Sequence, residues 1–218
     1  MDHLFVDSVI KSFGPVTVLT DIFLSCKPGE VVGLIGRNGS GKSTLMKIIF
    51  GSLNAQQKFV RINGVHISSM KQSIKSIKYL PQGHYLPENM RIEKVINFYE
   101  KIIDLEKFKS NPMVSPLIQT NPIRLSAGER RIVEILIILH AKSQYILLDE
   151  PFNGVAPIYK EEIKSVIRDV SKTKGIIVTD HDHRNVIDIS DRLILLYNGS
   201  LKRIEDKDEL AYYGYFPK

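Results

Sequence analysis

The segment Val31-Val32-Gly33-Leu34-Ile35-Gly36-Arg37-Asn38-Gly39-Ser40-Gly41-Lys42-Ser43-Thr44 places the tightest constraint on how this chain folds. Its apolar first half suits a strand buried on both faces of a parallel sheet. Its second half fits the G-x-x-x-x-G-K-[ST] phosphate loop. Such a loop works between a strand and a helix. Leu45-Met46-Lys47-Ile48-Ile49-Phe50 continues with helical character to a stop at Gly51. Backbone N–H groups must come close to phosphate oxygens, so side chains at Gly36, Gly39 and Gly41 are expected to block the approach. Arg37, Asn38 and Ser40 fill the rest of the cradle. Lys42 brings positive charge to the β- and γ-phosphates, and the Ser43 hydroxyl is a Mg²⁺ ligand. Thr44 reads as the start of the helix whose N-terminal N–H groups also face the anion. Alone, the loop says only that a nucleoside triphosphate is held.

Two further segments carry chemistry. Leu125-Ser126-Ala127-Gly128-Glu129-Arg130-Arg131 leads into an apolar helix over residues 132–139. Ser126 offers a hydroxyl and Gly128 an unobstructed N–H, which makes a second helix N-terminus suited to phosphate. Ser126 with Glu129 three residues on is also a capping box, and the two readings are compatible. Ile146-Leu147-Leu148-Asp149-Glu150-Pro151 reads as a buried strand ending in two acids. Asp149 is placed to hold Mg²⁺ through water, and Glu150 to polarise an attacking water as general base. Adjacent acids at a strand end also serve as caps for the next helix.

LSAGERR resembles the LSGGQ signature of ATP-binding cassette (ABC) ATPases, with Ala127 in the third place and Glu129 in the fifth. The resemblance implies ATP with Mg²⁺, and a signature that completes the ATP pocket of a partner subunit. Three smaller elements follow the family's order. Gln82, in Tyr79-Leu80-Pro81-Gln82, resembles the Q-loop glutamine that reaches Mg²⁺ and the water. His181, in Val178-Thr179-Asp180-His181, resembles the switch histidine that contacts the γ-phosphate. Phe13, in Lys11-Ser12-Phe13-Gly14, resembles the aromatic that stacks on adenine. By residue type alone, a glutamine after a strand is a loop residue and a ring at a strand end belongs to the core. His3 and His183 lack such context and read as surface residues. One departure stands out. The family's D-loop ends in Asp-Pro, whereas Asn153-Gly154-Val155-Ala156-Pro157 carries Ala156 in place of the aspartate. That loop couples two ATP sites, so the substitution bears on cooperativity and turnover rate. Lys42, Asp149, Glu150 and His181 are all present, and an active ATP hydrolase is expected.

The alternation along the chain implies an α/β fold with a mainly parallel sheet, and the resemblance implies a P-loop NTPase (RecA-like) core with an antiparallel β region and a helical subdomain carrying the signature. Residues 4–12 and 18–26 read as strands, and 59–67 as a hairpin about Asn63-Gly64. From about 87 to 143 the pattern is helical, with Ile92, Val95, Ile96, Tyr99, Ile102 and Ile103 at helical spacing. Then come a helix over 158–170, a strand over Gly175–Thr179 and a short helix over 184–189. A hairpin of Arg192–Tyr197 and Ser200–Ile204 precedes a terminal helix over 206–213. The whole, 1–218, is read as one nucleotide-binding domain.

A net charge of +6 is spread over lysines such as Lys71, Lys75, Lys78, Lys101, Lys107 and Lys109, so a solvated surface is expected and no nucleic-acid partner. Cys26 is the single cysteine, which rules out an internal disulfide. Met1-Asp2-His3-Leu4-Phe5 does not read as a signal peptide. No apolar run reaches bilayer length, since Glu134 interrupts the best candidate and Lys142 ends it. A cytoplasmic chain is expected.

Three functions fit this reading. The first is the ATPase subunit of a membrane transporter, an exporter in preference. It would work as a head-to-tail homodimer with permease subunits on the cytoplasmic face of the inner or plasma membrane. LSAGERRIVEI, LLDEPFNGVAP and TDHDHRNV resemble the lipopolysaccharide-export branch of the family, from which Ala156 and a shorter helical region depart. The second is a soluble ABC ATPase of the iron–sulfur assembly type. The third is a non-hydrolysing regulatory module, against which Glu150 and His181 stand.

Overall fold

The computed structural model describes residues 3–99, 103–206 and 209–214. Strands β1 (Leu4–Phe13) and β2 (Val16–Cys26) form a hairpin about Gly14, and β3 (Val31–Ile35) runs into the phosphate loop. Helix α1 (Lys42–Phe50) follows, then β4 (Gln57–Ile62), β5 (Val65–His66), α2 (Met70–Ser73) and β6 (Ile77–Leu80). Next come α3 (Ile92–Tyr99), α4 (Leu105–Ser110), two 3₁₀ turns (Ser115–Leu117 and Pro122–Arg124) and α5 (Ala127–His140). The chain then alternates through β7 (Tyr145–Asp149), α6 (Pro157–Ser171), β8 (Gly175–Thr179) and α7 (His183–Ile189). It finishes with β9 (Arg192–Tyr197), β10 (Ser200–Ile204) and α8 (Glu209–Tyr212).

Two sheets result. The larger has the order β10-β9-β3-β8-β7-β6, parallel except for β10. The smaller is antiparallel, in the order β2-β1-β4-β5. Every residue of β3, β7 and β8 is buried, because both faces of the parallel sheet are covered. One face packs on α1 and the antiparallel sheet, through residues such as Leu4, Val6, Leu34, Leu45 and Ile177. The other packs on α3, α5, α6 and α7, through Ile96, Leu136, Ile163 and Val186. Strands that run parallel end at one edge of their sheet, and that edge is where such folds place ligands. Here it gathers the ends of β3, β6, β7 and β8.

Several boundaries differ from expectation for local reasons. Helix α1 begins at Lys42, not Thr44, because Gly41 (φ 108°) turns the chain directly into it. Lys42 and Ser43 are therefore themselves in the first turn. The apolar spacing over 92–103 is helical only to Tyr99; Ile103 instead bridges to Ala141. Asp104 then starts α4 afresh by accepting a hydrogen bond from the Lys107 amide. The terminal helix is described only over Glu209–Tyr212. Residues 207–208 of that expected helix lie outside the described residues, as do Ile102, Lys101, Met1 and Asp2. Among the described residues, no helix is long and apolar enough to cross a membrane.

Candidate functional site

At the gathered strand ends lies a cleft of about 590 Å³. The phosphate loop and first helical turn contribute Asn38, Gly39, Gly41, Lys42, Ser43 and Thr44. The other strand ends contribute Gln82, Glu150, Asn153 and His181, and Phe13 with Val18 forms a wall. A larger cleft of about 930 Å³, between α4, the end of α5 and α6, holds none of these motif residues.

The fold itself also requires the loop's glycines. A Cβ on Gly36 would sit 2.9 Å from Leu196 O, and one on Gly41 would sit 2.6 Å from Val18 Cγ1. Both would strike the chain's own atoms. Gly39 faces open space, and its need is the left-handed backbone at φ 76°. Lys42 is 8% exposed, and its Nζ donates to Gly36 O (2.8 Å) and Arg37 O (3.1 Å). Burial lowers its pKa, while Glu150 and Asp149 act in the opposite sense.

Gly36, Arg37 and Ser40, expected in the cradle, do not line this cleft. Arg37 and Ser40 face a neighbouring one of about 480 Å³ beside β2 and the β9–β10 turn. The Ser40 amide is spent on Arg37 O at 3.1 Å.

The acidic pair is tightly held. Asp149 is wholly buried; Ser43 Oγ donates to its Oδ1 and Tyr79 Oη to its Oδ2, both at 2.9 Å. Burial raises the Asp149 pKa, and those two hydrogen bonds pull it back down. Glu150 adopts a left-handed backbone (φ 52°), which a non-glycine residue takes only when its surroundings enforce it. Its amide donates to Thr179 O at 2.9 Å, and Gln82 Nε2 donates to its Oε2 at 2.8 Å.

The same stretch of backbone is held by Arg131, 2% exposed on α5. Its Nη2 donates to Asp149 O (2.8 Å) and Glu150 O (2.9 Å), and its Nη1 donates to Pro81 O (2.8 Å). One guanidinium thus ties the acidic strand end to the residue before Gln82. Asp180, 3% exposed, plays a similar part just past β8 by accepting from the Phe152 and Asp182 amides.

His181 is exposed, with its Nε2 3.3 Å from Asn38 Nδ2. His183, read from sequence as a surface residue, is half-buried, and its pKa is lowered by burial and by the charge of Lys42. Phe13 is 50% exposed and so is not a core ring; Lys11 Nζ lies 4.7 Å from its centroid.

Ser126 and Gly128 lie outside the cleft. Ser126 forms the capping box: its Oγ accepts from the Glu129 amide (3.2 Å), and its own amide donates to Glu129 Oε2 (2.8 Å). Ser126 Oγ also donates to Glu129 Oε2 (2.7 Å), and this bond, with that from the Ser126 amide, lowers the Glu129 pKa. A Cβ on Gly128 would come within 2.7 Å of Gly154 O, so the signature rests against the loop that follows the acidic pair.

Sequence reasoning passed over Tyr79, Arg131, Asn153 and Glu134. Glu134, taken only as an interruption of an apolar run, is wholly buried and accepts from the Tyr85 and Leu86 amides and pairs with His84. It fastens the segment after Gln82 to the signature helix. A charge inside an otherwise apolar helix was the available signal.

The residues suit Mg²⁺ with a nucleotide. Among the described residues, no cluster of three or more His, Cys, Asp or Glu side chains is placed to hold a metal. One carboxylate, one hydroxyl and one amide oxygen match a small hard cation that takes its remaining ligands from phosphates and water.

A family model described as ABC transporter matches residues 19–153. The chain is 31% identical to the lipopolysaccharide export system ATP-binding protein LptB of Haemophilus influenzae, over 92% of this chain and 89% of that one. This chain belongs to the ABC transporter family. It is an ABC-type ATP-binding subunit and an ATPase. It is also 30% identical to a probable ABC transporter ATP-binding protein of Azorhizobium caulinodans, over 92% of this chain and 76% of the relative. At 28% identity it matches the sulfate/thiosulfate import ATP-binding protein CysA of Synechocystis, over 95% of this chain and 61% of that one. The fold matches a solved ATP-binding subunit of an ABC transporter with a TM-score of 0.84 at 22% identity, over 99% of this chain and 95% of that one. Both export and import proteins are thus among the relatives of this ABC subunit.

Proposed function

We propose that this ABC subunit binds ATP with Mg²⁺ in the cleft beside Lys42 and hydrolyses it as one half of a head-to-tail homodimer. Residues 1–218 act as a single nucleotide-binding domain, with 87–143 as its helical arm. One observation carries the reading: Lys42, Ser43, Gln82, Glu150 and His181 meet at one edge, while Ser126 and Gly128 lie outside it. That separation supports reading the cleft as half a site whose signature comes from a second copy.

Phe13 takes the adenine ring on its exposed side. Lys42 and the loop amides neutralise the phosphates. Bound Mg²⁺ polarises the phosphate oxygens. Ser43 and Asp149 hold that ion, with the Gln82 amide oxygen available because its nitrogen is already spent on Glu150. Glu150 takes a proton from the water that attacks the γ-phosphorus, and His181 steadies that water and the γ-phosphate. The bond to ADP breaks, and ADP with inorganic phosphate is released.

The released energy drives export through permease subunits, with this chain seated on the cytoplasmic face of the inner or plasma membrane. The similarity to lipopolysaccharide export subunits supports the direction. Steady-state hydrolysis tests the roles. Loss of a general base costs at least about 100-fold, so Glu150→Gln is expected to fall by that much; undiminished turnover would refute the assignment. Co-purification with a multi-span membrane protein tests the coupling.

A further inference from the structure

The strand end that carries Gln82 reaches both acids of the pair. Asp149 is wholly buried, so each of its oxygens needs a donor. Ser43 supplies one, from the phosphate loop. Tyr79 supplies the other, from β6, where it stands in register with Leu147 of β7. The Tyr79 ring leans on Phe50 at the end of α1, with centroids 5.5 Å apart, which fixes the direction of its hydroxyl. Three residues on, Gln82 holds Glu150. A phenol donating to a wholly buried carboxylate makes a strong, directional bond. It stops the carboxylate from turning about its own axis.

We propose that Tyr79 is a positioning residue for the metal-binding carboxylate: its hydroxyl clamps Asp149 Oδ2 and so leaves the Oδ1 side, shared with Ser43, as the edge presented to Mg²⁺. This rests on the reading of Asp149 as the Mg²⁺ carboxylate. The clamp supports the ligand from behind, where hydrogen-bond partners of ligating carboxylates set metal affinity. Tyr79→Phe keeps the ring and its contact with Phe50 and removes the clamp alone.

Metal binding is read directly, without turnover, by titrating Mn²⁺ under electron paramagnetic resonance into chain saturated with a non-hydrolysable ATP analogue. Loss of such a supporting partner weakens metal binding about tenfold, and Tyr79→Phe is expected to do so. The loss should appear only with the metal present, not in binding of the metal-free analogue. Phe50→Leu keeps the hydroxyl but loosens its ring, and it should weaken Mn²⁺ less than Tyr79→Phe does. Equal loss in the two variants would mean that general loosening of β6 is responsible, and the proposal falls. Wild-type Mn²⁺ affinity in Tyr79→Phe, with Asp149→Asn impaired, overturns the proposal and leaves the site intact. Wild-type affinity in Asp149→Asn overturns both.

Discussion

Replacing Glu134 with alanine tests how the segment after Gln82 is fastened to the signature helix. The carboxylate is wholly buried and accepts from the Tyr85 amide at 3.0 Å and the Leu86 amide at 3.4 Å. His84 Nδ1 lies at 3.0 Å, and Arg130 Nε and Arg131 Nη1 at 3.5 Å. The variant strips the acceptor from two backbone amides, each worth about 1–3 kcal/mol when stranded. Arg131 keeps its three carbonyl acceptors, and His84 is exposed enough to find water, so neither adds much. Removing one partner of a buried ion pair costs about 3–5 kcal/mol, in line with that sum. For a chain of this size each kcal/mol moves the midpoint by about 2–4 °C, so Tm should fall by roughly 6–20 °C. Urea unfolding gives the free energy, and amide hydrogen exchange locates the loss. Tyr85 and Leu86 should lose protection, while Val178, in the middle of β8, should change only with global stability. A loss under about 1 kcal/mol, or unchanged protection at Tyr85 and Leu86, would refute the role given to Glu134.

Ala156 occupies the N-cap of α6 with no side-chain hydrogen bond, and Pro157 stands at the next position. Ala156→Asp, which restores the family residue, should stabilise the chain by about 1 kcal/mol in thermal unfolding. No gain would show that the helix start is satisfied in another way. Burial and the charge of Lys107 push the Lys174 pKa down to about 8 from 10.5. Between those values the unfolded chain binds the extra proton, so the penalty is fully present below pH 8 and is relieved as pH rises toward 10.5. The stability of the wild type relative to Lys174→Met should therefore climb across that window, and a flat difference would contradict the shift.

The elements legible in the sequence were those whose pattern owes nothing to distant partners. Gly175–Thr179 and the Arg192–Tyr197, Ser200–Ile204 hairpin have the boundaries read from residue pattern alone. A run of aliphatic residues and an Asn-Gly turn suffice for them. Short helices showed unevenly: α7 was read over 184–189, whereas α2, with 4 residues, and α4, with 6, were not set apart. The phosphate loop was read correctly as a loop before a helix, but the constraint that the fold itself puts on its glycines left no trace in the sequence. Gly36 and Gly41 yield to Leu196 and Val18, neighbours that only the fold brings there.

The same limit explains the supporting residues of the site. Tyr79 passes as one more strand residue until β6 lies beside β7. Arg131 and Glu134 look like solvent-facing charges until the segment at Pro81–Leu86, about 50 positions earlier, folds onto α5. The motif residues were visible because their chemistry demands particular types at particular spacings. The groups that orient them are set by contact, which leaves little trace along the chain.

The half-site is the claim most open to direct measurement. In Glu150→Gln, closure should outlast hydrolysis, because the nucleotide stays intact between the phosphate loop of one copy and Ser126 and Gly128 of the other. Light scattering of that variant should give twice the chain's mass with saturating Mg-ATP and the single-chain mass without it. A variant that stays single with ATP bound, alone and with its permease, would contradict a composite site.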